Sequence, residues 1–345
     1  MSLLQTEIES QPSILQRLLD LARPLAIEAA ARMRAFDPHY VVIAARGSSD
    51  NAARYAQYLF GAVNRLPVAL ATPSLFTLYH QPPALRDALV IGISQSGQSP
   101  DIVAVLEEAR RQHALTLAIT NDPASPLGQA AELVFPLFAG EERAIAATKT
   151  YTSQLLALAM LSTALHPSPE RWRELQGIPT AVARVIEQAE PACAAAAAFR
   201  NEQRLVVIGR GFNYATAFEI ALKLKELCAL VAEPYSSADF RHGPIAMVEP
   251  GFPVVAIAVS GAVLDDIVSL LDDLERRRAA LILISDRPEL LARAQLPFQL
   301  PSGVPEWLSP IVGVIPGQLF ASALARARGL DPDRPRGLQK VTRTR

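Results

Sequence analysis

Cysteine is nearly absent. The 345 residues hold two, Cys193 and Cys228, neither in a CxxC pair nor beside a histidine, so a disulfide framework and a zinc cluster are both unsupported. Both read as buried apolar thiols. Charge of one sign is also missing: 33 basic residues face 34 acidic ones, a net of −1, without the basic excess that binding to nucleic acid or an anionic membrane requires. The sequence reads as having no uncharged apolar stretch near the ~18 residues of a membrane span. Its start, "MSLLQTEIESQPSILQRLLDLARP", lacks the apolar core and small-residue cleavage site of a signal peptide. A cytoplasmic protein is expected. Neither GxxxxGK[ST] nor GxGxxG occurs, which disfavours a nucleotide.

What is present is apolar and alternating. Half the residues are hydrophobic, and the length suits two domains of about 150 residues each. Short apolar runs ("YVVIAA" 40–45, "ALVIGI" 88–93, "LTLAIT" 115–120) alternate with helical patterns, the signature of a parallel sheet with crossover helices covering both faces. A long helix is expected over 144–165, a linker at "HPSP" (166–169), and another helix over 180–200 with its alanine run 194–198.

The pattern then repeats. "YVVIAARG" returns as "LVVIGRG", Ser96-Gly97 as Ser260-Gly261, and "LAITND" as "LILISD"; Gly47 to Gly211 and Gly97 to Gly261 are each an offset of 164. Three matches in one order imply a duplicated α/β unit. The copies differ where it matters. The first carries "SQSGQS" after its strand and the second "AVSGAV", so a ligand is expected once, at the first copy.

Open parallel sheets bind ligands beyond the carboxyl ends of their strands, where a strand-to-helix turn offers backbone N–H groups and the positive end of a helix. Ser94, Ser96 and Ser99 add hydroxyl donors without bulk, and Gly97 permits close approach. Ser48 and Ser49 stand at the end of another strand of the same copy. The loop reads as a cradle for the phosphate of a small metabolite. The competing reading is a cluster of helix N-caps, although one such residue would suffice.

A second dense region follows at 217–244. Glu219, Lys223 and Glu226 fall at i, i+4 and i+7, one stripe of an apolar helix, either a tuned general base or an ion-pair ladder. Beyond it, "YSSADFRHGP" places His242 ahead of Gly-Pro in a constrained turn, suited to proton transfer near neutral pH. The tail "GLDPDRPRGLQKVTRTR" reads by composition as a solvated end, although Lys340 within it is an amine able to attack a carbonyl.

Taken together, "SQSGQSPDI", "AATKTYTSQL", "ALKLKEL" with "AEPYSSADFRHGP", and "DRPRGLQKVT" resemble the sugar isomerase (SIS) superfamily, in particular the isomerase half of glucosamine-6-phosphate synthase and its stand-alone relatives. The resemblance covers nearly the whole chain. It implies an α/β fold of two tandem SIS domains, each a five-stranded, doubly wound parallel sheet. The expected divisions are a helical segment 1–34, a first domain 35–168, a second 180–330 and a closing tail 331–345. It implies phosphate binding by Ser49, Ser94, Gln95, Ser96 and Ser99, the last standing where threonine is usual. Further sugar contacts are implied at Ile145 and Thr148, and beside the tail at Gln339, where the synthase has a small residue. Glu226 matches the base that moves a proton between C1 and C2, Lys223 its cationic partner, and His242 the ring-opening residue supplied by a neighbouring subunit. Lys340 matches the lysine that forms a Schiff base with the ketose, which overturns the solvated-tail reading.

The synthase's glutaminase domain, with its N-terminal cysteine, has no counterpart in this sequence. The expected reaction is therefore catabolic: isomerising deamination of glucosamine 6-phosphate to fructose 6-phosphate and ammonia, in a homodimer without metal or organic cofactor. The alternatives within the superfamily are a fructosamine-6-phosphate deglycase and a galactosamine/tagatose-phosphate isomerase-deaminase. A sugar-phosphate sensor is the alternative outside enzymes; it should lack the Glu226, His242 and Lys340 set.

Overall fold

The computed structural model describes residues 2–340. The chain folds as two compact units, each interrupted in sequence. One, unit A, comprises 13–142, 149–176 and the tail from Gln339; the other, unit B, comprises 1–12, 143–148 and 177–338.

Unit A is built on β1 (Tyr40–Ala44), β2 (Val68–Leu70), β3 (Ala88–Ser94), β4 (Leu115–Thr120) and β5 (Leu133–Pro136). All pair in parallel, in the order β2-β1-β3-β4-β5. Every residue of β3 and β4 is buried, as central parallel strands are when helices cover both faces. The helices Ser48–Leu59 and Pro100–Arg111 follow β1 and β3, and the helix Lys149–Leu165 is buried along its whole length. It begins at Lys149, not at 144 as the sequence suggested, because 144–148 do not coil into its first turn.

Unit B repeats the plan with β6 (Arg204–Gly209), β7 (Val231–Ser236), β8 (Pro253–Ala258), β9 (Ala280–Ser285) and β10 (Leu296–Gln299). Their order, β10-β9-β8-β6-β7, read from its other end gives the same topology, again all parallel. The duplication inferred from the 164-residue offset is thus a structural one. Val206, Ile208, Val254, Ile267, Leu271 and Leu283 are among the residues forming the core on one face. On the other, the helices Tyr214–Cys228 and Ser309–Ala327 pack closely: a Cβ at Gly317 would come within 2.3 Å of the Ile220 side chain.

Three further readings are corrected. The alanine run does not form one helix; Ile178–Gln188 and Glu190–Ala195 are separate helices, and Ala196–Phe199 tightens to a 3-10 turn. Proline at 191 lacks the N–H that a continuous helix would use there. Cys228 is buried as expected, while Cys193 is only partly so. A span-like segment does exist: Glu306–Ala327 is long and apolar enough to cross a membrane, but its apolar stretch, 308–325, is buried in the core of the fold. Pro310, Pro316 and two glycines broke up its apolar pattern in the sequence.

Candidate functional site

In both units the strand order reverses beside the first strand, so the crevice opens at the carboxyl ends of β1 and β3 in unit A and of β6 and β8 in unit B. The serine loop occupies the first of these crevices. β3 ends at Ser94, and the helix after it starts at Pro100. Ser94 Oγ accepts the N–H of Gly97 at 3.1 Å, and Ser96 Oγ accepts that of Gln98 at 3.3 Å, folding the turn onto itself. Gly97 has φ +63°, and a Cβ there would lie 2.0 Å from Ser125 Oγ, so the turn requires glycine twice over. The capping explanation fails at its natural place: Ser99 is the N-cap of Pro100–Arg111, yet its hydroxyl makes no capping bond.

The neighbouring β1 turn is tied to the same helix. Arg46 Nε donates to the fully buried Asp101 at 2.8 Å, and Ser49, itself buried, accepts from Gln154 Nε2 at 2.9 Å. Ser49 and the 94–99 loop therefore stand at adjacent strand ends of one sheet, as predicted. The Arg46–Asp101 tether was not foreseen, although Asp101 begins the helix that the sequence marked.

The corresponding turn of unit B is filled from within. Ser260 N–H donates to Asp286 at 2.8 Å and Ala262 N–H to Glu306 Oε2 at 2.8 Å. The Glu306 side chain crosses so near Gly261 that a Cβ there would meet it at 2.3 Å. The second copy thus gives two loop N–H groups to carboxylates of its own chain, and the first gives two to serine hydroxyls. Arg210 stays near Asp266, 3.9 Å away, a looser echo of Arg46–Asp101. Asp266 also accepts from Ser237 and from Arg241 at 2.9 Å. Desolvation pushes its pKa up, but these bonds and charges outweigh it and hold the carboxyl below its ordinary value.

The acid–base stripe lies on the unit B helix Tyr214–Cys228. Lys223 Nζ sits 2.6 Å from Glu226 and 3.4 Å from Glu219. Lys223 and Glu219 are wholly buried, whereas the Glu226 side chain is 23% exposed. This is no surface ladder: one ammonium is sealed between two carboxylates, and only Glu226 reaches outward. It opens on a cavity of about 440 Å³, lined also by Lys225, Ala229, Asp331, Arg334 and Arg336. A carboxylate, a buried cation and a cavity are therefore adjacent, an arrangement able to serve general-base chemistry.

The remaining predicted residues are distributed as follows. His242 is exposed and ends the short helix Ser237–Arg241, ahead of Gly243 at φ +153°. Ile145 and Thr148 belong to the unit B segment 143–148, where Glu7 accepts the N–H groups of Arg143 at 2.6 Å and Ala144 at 3.2 Å. Gln339 is exposed. Lys340, in unit A, does not run free: its Nζ is 2.9 Å from the buried Glu142. Sequence reasoning missed Glu7, Glu142 and Glu306, single acids that no spacing distinguished. Among the described residues no group of three His, Cys, Asp or Glu is placed to hold a metal ion.

The comparisons agree with the two-fold repeat of the fold. The family described as "SIS domain" matches residues 36–164 and again 198–325, once in each half. The glutamine–fructose-6-phosphate aminotransferase (isomerizing) of Thermococcus kodakarensis is 36% identical over 343 residues, 97% of this chain and 56% of that protein. The protein of that name from Gloeobacter violaceus is 37% identical, covering 97% and 57%. The chain therefore spans just over half the length of these relatives. A candidate phosphosugar isomerase from Silicibacter pomeroyi DSS-3 superposes with a TM-score of 0.87 at 34% identity, over 96% of this chain and 100% of that one. The C-terminal domain of a glucosamine-fructose-6-phosphate aminotransferase from Francisella tularensis superposes with a TM-score of 0.86 at 27% identity, over 97% and 98%. With two matched SIS domains on two five-stranded parallel sheets, the chain belongs to the SIS domain family.

Proposed function

We propose that the chain converts glucosamine 6-phosphate and water to fructose 6-phosphate and ammonia. The observation that carries this reading is the Lys223–Glu226 pair: a carboxylate open to a cavity and backed by a buried ammonium. The serine loop is the phosphate anchor in this scheme, with Ser49, Ser94, Gln95, Ser96 and Ser99 as its donors, Ile145, Thr148 and Gln339 as further sugar contacts. Binding energy at the phosphate then orients carbons that react elsewhere on the sugar. His242, supplied by a second subunit, assists ring opening. Glu226 takes the C2 proton of the open-chain aldose, and the enolamine is reprotonated at C1. The resulting C2 ketimine takes up water and releases ammonia. Lys223, 2.6 Å from Glu226, favours the negative charge that develops on the sugar. Lys340 forms an imine with the ketose C2 carbonyl.

A second reading is favoured by the 36% identity to aminotransferases over 97% of the chain. In it the same proton transfer runs in the synthetic direction, on fructose 6-phosphate with a nitrogen donor. Both are tested by incubating purified protein with glucosamine 6-phosphate, and separately with fructose 6-phosphate and ammonium. Ammonia and fructose 6-phosphate formed in equal amounts support the deaminase. Glucosamine 6-phosphate formed only in the second mixture supports synthesis. Neither product, with hexose phosphate still bound, removes both in favour of another sugar phosphate.

A further inference from the structure

Glu142 has a buried carboxylate and lies at the start of the buried helix Lys149–Leu165. Thr150, the second residue of that helix, donates to it twice, through its N–H at 3.1 Å and its hydroxyl at 2.7 Å. A third donor is Lys340 Nζ at 2.9 Å, on a side chain one quarter exposed. Thr150 and the positive end of the helix fix the carboxylate; the lysine arrives from 198 residues away in sequence. The adjacent Lys149 donates to the Glu141 carbonyl at 2.6 Å. A buried carboxylate is costly unless paired, so this geometry selects where the Lys340 amine rests.

We propose that Glu142 is the positioning residue of Lys340. It holds the ammonium at a fixed point and accepts its proton when the amine attacks. The inference rests on the reading above, in which Lys340 meets the ketose. The step balances. Lys340 passes one proton to Glu142, and its free amine adds to the C2 carbonyl. The carbinolamine then takes that proton back onto oxygen and loses water. Ammonium and ketone become a protonated imine and water, with Glu142 a carboxylate again.

Two measurements on the full chain separate this inference from the reading beneath it. In the first, without sugar, formaldehyde and cyanoborohydride methylate the lysines, and peptide masses report each rate. Glu142→Gln should raise the Lys340 rate several-fold while leaving Lys225, an exposed reference, unchanged. In the second, borohydride traps the imine formed with fructose 6-phosphate. Wild type should gain the sugar at Lys340; Glu142→Gln should lose about tenfold or more of that trapping with the sugar Kd unmoved, and Glu142→Asp should recover part of it. Unchanged methylation, or full trapping in Glu142→Gln, overturns the positioning role. If wild type traps no lysine, the role given to Lys340 falls, and the methylation rates alone decide the anchor. Should Glu142→Gln not fold, Thr150→Val removes one of the bonds holding the carboxylate and should move both readouts the same way.

Discussion

Lys223 Nζ lies 2.6 Å from a Glu226 oxygen, and of that pair only the carboxylate reaches open space. Replacing Glu226 by glutamine keeps the size and a hydrogen-bonding partner for Lys223 but removes the proton acceptor. Exchange of the sugar C2 hydrogen with solvent, followed by NMR, should slow about 100-fold to 10,000-fold, with the unfolding midpoint little changed. Exchange at the wild-type rate would show that Glu226 is not the base.

Lys223→Met tests the other half of the pair. The methionine fills similar volume but leaves the fully buried Glu219 without its cation. Breaking a buried ion pair from one side costs about 3–5 kcal/mol, readable by urea unfolding. A cost near zero would mean that Glu219 finds another partner or takes up a proton.

At the serine loop, Gly97→Ala should destabilise by about 2–4 kcal/mol through left-handed strain and collision with Ser125. It should also weaken hexose-phosphate binding measured by calorimetry. Adding Ser125→Gly relieves the collision and not the strain, so the double variant should recover only part of the stability.

Burial pushes the Cys228 thiol up to about 12 and the Cys193 thiol to about 11, from an ordinary 9.0. A folded thiol with a raised pKa keeps its proton after the unfolded chain has released one. The contribution of Cys228 is therefore complete below pH 9.0 and is lost as the pH climbs towards 12. The fall approaches about 1.4 kcal/mol per pH unit for one such group, and Cys228→Ala should flatten the alkaline limb of stability against pH by that share.

The duplication, the three central strands of each sheet and the Glu219–Lys223–Glu226 stripe were legible in the sequence as period and offset; the edge strands β2, β5, β7 and β10 came only with the resemblance, which implied five strands to each sheet. The stripe's burial was not; the same i, i+4, i+7 spacing suits a solvated ladder, and what seals that helix is its packing against the sheet and against the helix Ser309–Ala327, with Ile220 close against Gly317. Glu142 and Glu306 act through partners 198 and 44 residues away, a relation that no local pattern encodes. The long apolar helix Glu306–Ala327 was hidden by its prolines, which a helix held by its surroundings tolerates. Gly97 was marked for close approach to a ligand; its neighbour in the fold is Ser125, which no loop pattern predicts.

The N–H groups of Leu3 and Leu4 donate to the Asp333 carboxylate at 2.8 and 2.9 Å, and Gln11 pairs with Gln318. The first turn of unit B is thus fastened to nearly its last. During synthesis these opening residues emerge early and wait for more than three hundred others before their partners exist, whereas the five strands of unit A are complete by residue 136. Closing so long a loop slows the step that completes unit B. The strands of unit A are then free to pair first on the ribosome, and the apolar side chains of the opening segment, Leu4 and Ile8, are the part of unit B that waits longest, open to chaperones, for the partners that bury them.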